Sequence, residues 1–291
     1  MKKSLDHLPQ SKQEELQKLV TEICKNCDDV EKIILYGSYA RGDYEAEEKI
    51  VEKNQIKLPS DYDILVVTSK KEVALDISLW DKITNKCRKL DLTGEPRILT
   101  HDIEALNIKL SEGQYFFSDI KKEGIVLYDS KKFELVSERN LTLKEKKRIA
   151  QDYFDEWYMS AEEFFAGHLF YLGREISKKT LGISAFMLHQ AAEHSYKAVL
   201  LVFSNYCPQE HFLEFLGKDA EKLSKLMQNI FAKISEEDKE RFRLLEYAYI
   251  GGRYDPNYRI SVEDLQILAG DVQKLLRLTK EICEEKIQSF R

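Results

Sequence analysis

Proline and glycine are scarce, at 5 and 12 of 291 residues, and there is no internal repeat or low-complexity tract. Together with 33% charged residues this excludes a disordered or fibrous chain and points to a helix-rich folded one, long enough for two domains. No apolar run is long enough to cross a bilayer; the longest, around Ala198–Phe203, is a buried helical turn or two, so no membrane partner is expected. An excess of positive charge is also missing: Lys+Arg 45 against Asp+Glu 51 leaves −6. Binding nucleic acid by bulk charge is thereby excluded, although a local basic groove is not. The five cysteines (Cys24, Cys27, Cys87, Cys207, Cys283) are odd in number and scattered, which suits free thiols in a reducing compartment. Cys24 and Cys27 form a CxxC, but no second pair or nearby histidine completes a zinc set, and half-buried small apolar residues are expected there. The first residues, MKKSLDHLPQSK, carry two lysines without an apolar core behind them, so no secretory signal is expected and the expected location is cytoplasmic.

Hydrophobic periodicity divides what is present into two parts. A capping box, Ser11-Lys12-Gln13-Glu14, opens a helix with Leu16, Leu19, Val20, Ile23 and Cys27 on one face. Short apolar runs at 32–36 and 63–67 read as strands, separated by a charged loop at 43–59. A helix is expected from about Val73 to Leu90, then strands at 97–100 and 125–128. From Leu143 onward every apolar pattern has helical spacing, over 149–170, 183–203, 220–234, 242–250 and 265–282, with Gly167, Gly173, Gly182, Gly217 and Gly251-Gly252 between or at the ends of helices. The expected fold class is α+β: an N-terminal mixed sheet with helices over residues 1–130, followed by an all-α bundle over 141–291.

Two motifs in the first part carry chemistry. Gly37-Ser38-Tyr39-Ala40-Arg41-Gly42-Asp43 ends a strand in a turn whose backbone N–H groups and hydroxyl suit a phosphate, with Arg41 adding positive charge. In Ser60-Asp61-Tyr62-Asp63-Ile64, a period of two puts both carboxylates on one face of a strand start. Paired carboxylates repel unless a cation lies between them, and a hard divalent ion that takes oxygen ligands, Mg²⁺ foremost, suits them together with a triphosphate.

GSYARGD followed by SDYDILV resembles the signature of the DNA polymerase β-type nucleotidyltransferases, in particular the minimal ones, over about residues 10–130. The resemblance implies that Gly37 and Ser38 grip the β/γ-phosphates of an NTP, with Arg41 at the pattern's arginine, and that Asp61 and Asp63 are the catalytic and Mg²⁺-holding acids. It also implies a third carboxylate on a later strand, which activates the acceptor hydroxyl. In Pro96-Arg97-Ile98-Leu99-Thr100 the expected position holds Arg97; Glu95, on the same face, and Asp102 are the alternatives. Without that acid about 10²–10⁴ in rate is forfeited while nucleotide binding survives.

In the second part, His189, Glu193 and Lys197 share a helix face, as do Gln190 and His194, and half-buried polar contacts are expected of them. The stripe Tyr153, Phe154, Trp157, Tyr158, Phe164 and Phe165 is expected to pack in the core and in a dimer contact rather than stack on bases. The run from Phe186 to Leu201, then Glu210–Leu216 and Ala248–Tyr254, resembles the HEPN domain, a helical bundle that is often dimeric and found beside minimal nucleotidyltransferases. Ribonucleases of that family carry an arginine followed four to six residues on by histidine. Here Arg253 is followed by Tyr258, and no histidine occurs after His211. RNA cleavage of that kind is therefore not expected.

The expected function is transfer of NMP from an NTP, ATP first, to a hydroxyl acceptor with Mg²⁺, in a homodimer formed through the helical domain. The alternatives are a catalytically weak nucleotide-binding regulator and a fused toxin–antitoxin-type module.

Overall fold

The computed structural model describes residues 4–45, 49–51, 55–57, 59–208, 210–231 and 233–291, with backbone alone at 49–51 and 55–57. The chain divides into two compact units, Met1–Asn140 and Leu141–Arg291.

The first unit runs α1 (Gln10–Asn26), β1 (Val30–Tyr36), α2 (Gly37–Arg41), β2 (Lys49–Val51), β3 (Gln55–Lys57), β4 (Tyr62–Thr68), α3 (Lys71–Ala74), α4 (Ile77–Cys87), β5 (Pro96–Asp102), α5 (Ile103–Ser111), α6 (Tyr115–Glu123) and β6 (Ile125–Asp129). Four strands form one mixed sheet in the order β5-β4-β1-β6, in which β1 is antiparallel to β4 and β6 while β4 and β5 are parallel. Alternation sends Ile33, Leu35, Ile64 and Val66 to one face, packed with Leu16, Leu19 and Ile23 of α1 and Trp80 and Ile83 of α4. The other face, with Ile34, Leu65 and Val67, is covered by Leu106 of α5 and Phe117 and Ile120 of α6. Each such side chain, fully buried, contributes about 1.5–3 kcal/mol.

Several local expectations are corrected. Helix α1 starts at Gln10, not at a Ser11 box: Pro9 sets the entry, and its carbonyl accepts from the Lys12 and Gln13 amides at 3.0 and 3.2 Å. The single helix expected over 73–90 is two, because Asp76 caps α4 by accepting from the Leu79 amide at 2.9 Å. Strands β2 and β3 pair antiparallel within the stretch expected to be a charged loop. Of the rest of that expected charged loop, residues 46–48, 52–54 and 58 lie outside the described residues.

The second unit is helical throughout its regular structure: α7 (Leu143–Leu172), α8 (Lys178–Ser204), α9 (Leu213–Leu223), α10 (Glu236–Tyr254) and α11 (Val262–Ser289), with a 3₁₀ turn at Lys225–Met227. Reciprocal capping boxes start three of them: Thr142 with Glu145, Ser177 with Thr180, and Ser235 with Asp238. Helix α8 is the central rod, buried nearly all round from Ala185 to Val202. The helix expected over 220–234 is instead α9, ending at Leu223, since Ser224 caps the following 3₁₀ turn and Asn229 is left-handed (φ 53°). Gly167, Gly182 and Gly217 lie inside helices rather than between them. The reason at Gly182 is packing: a Cβ there would come within 3.0 Å of the Gly252 carbonyl oxygen on α10, and a Cβ on Gly252 would collide with the Gly182 carbonyl.

Candidate functional site

The site lies where β1 ends and β4 begins. Gly37 takes φ +71°, a left-handed conformation that favours glycine, and this turns the chain from β1 into α2. A Cβ at Gly37 would collide with Asp63 Oδ2, so the carboxylate sits directly against the turn's backbone. Helix α2 is a single turn, so its backbone amides and the half-buried Ser38, not a summed helix dipole, are what an anion would meet. Gly42, at φ +95°, closes that turn by donating its amide to the Ser38 carbonyl at 2.8 Å. Behind the turn, buried Tyr39 stacks on Tyr44 and packs at a tilt against Tyr62, with ring centroids 4.3 and 4.4 Å apart. Tyr62 donates its hydroxyl to Glu15 Oε2 at 2.8 Å, which ties the turn to α1.

Register assembles the charged groups. Tyr36 of β1 is opposite Asp63 of β4, and Asp63 is opposite Arg97 of β5, so all three project from one face of the sheet in one row. Asp61, two residues before Asp63, reaches the same place: its Oδ2 accepts from Arg97 Nη2 at 2.6 Å. Burial raises the Asp63 carboxyl above its ordinary range, the Arg97 and Arg41 charges pull it back, and Asp61 pushes it up further. Burial and the Asp63 charge push the Tyr36 phenol up to about 12. Arg41 pairs with Asp43 at 3.2 Å, and its charge reaches Asp63 and Asp119 of α6. Tyr36 was not singled out from sequence; it became visible only once β1 and β4 were in register.

The two alternatives for a third acid lie elsewhere. Glu95 is ion-paired with Arg88, and its backbone carbonyl accepts from the Tyr62 amide. Asp102, buried at the far end of β5, caps α5 by accepting from the Ala105 amide at 2.9 Å. Two carboxylates with only oxygen donors suit one hard divalent ion. Among the described residues, no group of three or more His, Cys, Asp or Glu could hold a metal.

In the helical unit, Arg253 is half-buried at the last turn of α10, donates Nε to the Tyr249 carbonyl at 2.6 Å, and lies over the Tyr249 and Phe186 rings at 4.4 and 4.7 Å. It lines a cavity of about 450 Å³ with Lys178 and Lys179. Tyr258 is buried and donates its hydroxyl to the Leu244 carbonyl at 3.0 Å. The polar face of α8 is more deeply buried than expected: His189 is fully enclosed, and Glu193 is a hub. Glu193 accepts from Lys197 and Gln190 at 2.7 Å and pairs at 2.9 Å with His211 from the following loop. The α7 aromatics pack internally: Phe154 stacks on Tyr158 at 4.8 Å, and Trp157 and Phe164 flank His194.

Comparison with known proteins divides the chain in the same place. Residues 18–133 match the family model described as Polymerase beta, Nucleotidyltransferase, and residues 154–285 match the HEPN domain. No curated protein matches the chain.

Proposed function

The chain joins a polymerase beta-type nucleotidyltransferase domain to a C-terminal HEPN domain, and on that premise we propose that it transfers NMP from an NTP, ATP first, to a hydroxyl acceptor. The observation that carries this reading is the seating of Asp63, with Asp61 two residues away, against the backbone of the Gly37-Ser38 turn. Gly37 allows the triphosphate to approach the backbone, Ser38 donates to a phosphate oxygen, and Arg41 adds charge at the turn's end. Asp61 and Asp63 would hold Mg²⁺, which when bound offsets phosphate charge and polarises the α-phosphate. The acceptor oxygen bonds to the α-phosphorus, the bond to the bridging oxygen breaks, pyrophosphate leaves, and the hydroxyl proton passes to solvent. The aspartates and the turn fix the triphosphate so that attack and departure are in line.

A second reading, nucleotide binding with little turnover, is favoured by Arg97 standing where an activating acid is expected. Such a binder could restrain the helical partner domain in a fused toxin–antitoxin-type module. Label distribution separates the two. With α-labelled ATP, a transferase moves label into acceptor and releases unlabelled pyrophosphate; with γ-labelled ATP, it releases labelled pyrophosphate. Binding of ATP with neither product supports the regulator.

For the helical domain we propose homodimerisation without RNA cleavage. The exposed Phe170, Ile176, Phe212 and Tyr254 supply apolar surface for a second copy. Tyr258, committed to the Leu244 carbonyl, supplies no imidazole beside Arg253.

A further inference from the structure

We infer that Arg97 is a resident cation of the nucleotide site, pairing with Asp61 and restricting the aspartate pair to a single divalent ion. This inference rests on the nucleotidyltransferase reading and specifies how its charge is arranged. The parallel register of β4 and β5 places Arg97 directly beside Asp63, and its guanidinium reaches across to Asp61 at 2.6 Å. Before nucleotide binds, the guanidinium engages Asp61 oxygens that a divalent ion would use. Once nucleotide is bound, a second ion would meet the fixed charge of that guanidinium and needs a further acid. Glu95 is turned to Arg88, and Asp102 is spent on the amide of Ala105. The row thus brings together two carboxylates, Asp61 and Asp63, with the Arg97 guanidinium at its end.

The character of the pair decides how it behaves. Arginine brings a permanent charge on a planar fork of donors, so it stands in the site as a cation with or without a metal. The Arg97 side chain is two-thirds exposed (67%), against 29% for Asp61, which leaves the long arm room to swing. A partly exposed ion pair is weak enough to exchange partners. When a triphosphate arrives, its oxygens compete with Asp61 for the guanidinium, and phosphate suits the planar fork as well as carboxylate does. Asp61 is then released toward the one cation that accompanies the nucleotide. Arg97 accordingly holds Asp61 oriented before nucleotide binds and takes the place of a second metal afterwards.

The test is a titration of the full chain with Mn²⁺, in which free ion is followed by electron paramagnetic resonance. It is run alone and at saturation with a non-hydrolysable ATP analogue. Alone, Arg97→Gln should bind Mn²⁺ roughly tenfold more tightly than wild type, because a competing charge is gone. With the analogue, wild type should bind one Mn²⁺ per chain and Arg97→Asp two. Equal Mn²⁺ affinities in wild type and Arg97→Gln, no binding in either, or two ions in the wild-type complex each overturn the inference. Divergent Mn²⁺ affinities with no analogue bound to any variant uphold the role of Arg97 and refute the nucleotide reading.

Discussion

At the scale of single residues, the site sets charge against burial. Burial makes the Asp63 carboxylate unfavourable, and a charge kept at an energetic cost marks a group held for binding rather than for stability. Asp63→Asn should therefore leave the urea midpoint of the first unit unchanged or higher, while affinity for ATP in Mg²⁺ falls by at least about 100-fold, as calorimetry can measure. A midpoint lowered in step with the affinity contradicts this division of roles. Arg253 and Tyr258 carry a different expectation. Purified protein should not cleave RNA in the presence of chelator, and cleavage that disappears in Arg253→Ala would show that the buried Tyr258 does not close off that chemistry.

At the scale of elements, glycines that look alike in sequence do different work. Gly252 meets Gly182 where α10 crosses α8, and an alanine there forces the helices apart, at a cost of about 1–3 kcal/mol. Gly270, inside α11 with open space around it, gains helix propensity on the same change, about 0.8–1 kcal/mol of stability. Urea unfolding should move the two variants in opposite directions, and destabilisation by both would show that the α11 face is covered. These glycines also show what could be read from sequence. The alternation of strands and helices, the apolar stripe of α1 and the all-helical second half followed from periodicity, because each depends on neighbours within a few residues. The division of 73–90 at Asp76 and the close approach of Gly182 to Gly252 did not. The first turns on whether one side chain bonds the amide of Leu79, and the second on two residues seventy apart in sequence. At the site, the GS turn and the paired aspartates were legible as local spacing. The row Tyr36–Asp63–Arg97 required three strands in register, and the Glu193–His211 contact required a loop to fold back on α8.

At the scale of the whole molecule, acid should weaken the helical unit in two steps. Burial pushes the Glu193 carboxyl up, but His211 and Lys197 outweigh it and hold it at about 2. Burial drives the His189 imidazole down to about 4. Both folded values lie below the unfolded ones, so the unfolded chain binds more protons as pH falls. Stability of the helical unit should be full above the ordinary histidine range, decline from about pH 6.5 as His189 resists protonation, and decline further from about 4.5 toward 2 as Glu193 is neutralised. In a Trp80→Phe background, Trp157 fluorescence reports that unit alone, and Glu193→Gln should cost about 3–5 kcal/mol at neutral pH while flattening the lower limb. A midpoint indifferent to pH between 6.5 and 2 contradicts the buried network. The central claim, that the sheet's charged row and the GS turn form one nucleotide site, is tested most directly by titrating full-length wild type, Gly37→Ala and Asp61→Asn with ATP in Mg²⁺. Strained at φ +71° and driven into Asp63, Gly37→Ala should lose binding as completely as Asp61→Asn, while both keep the wild-type circular dichroism spectrum. Wild-type affinity in either folded variant would contradict the claim.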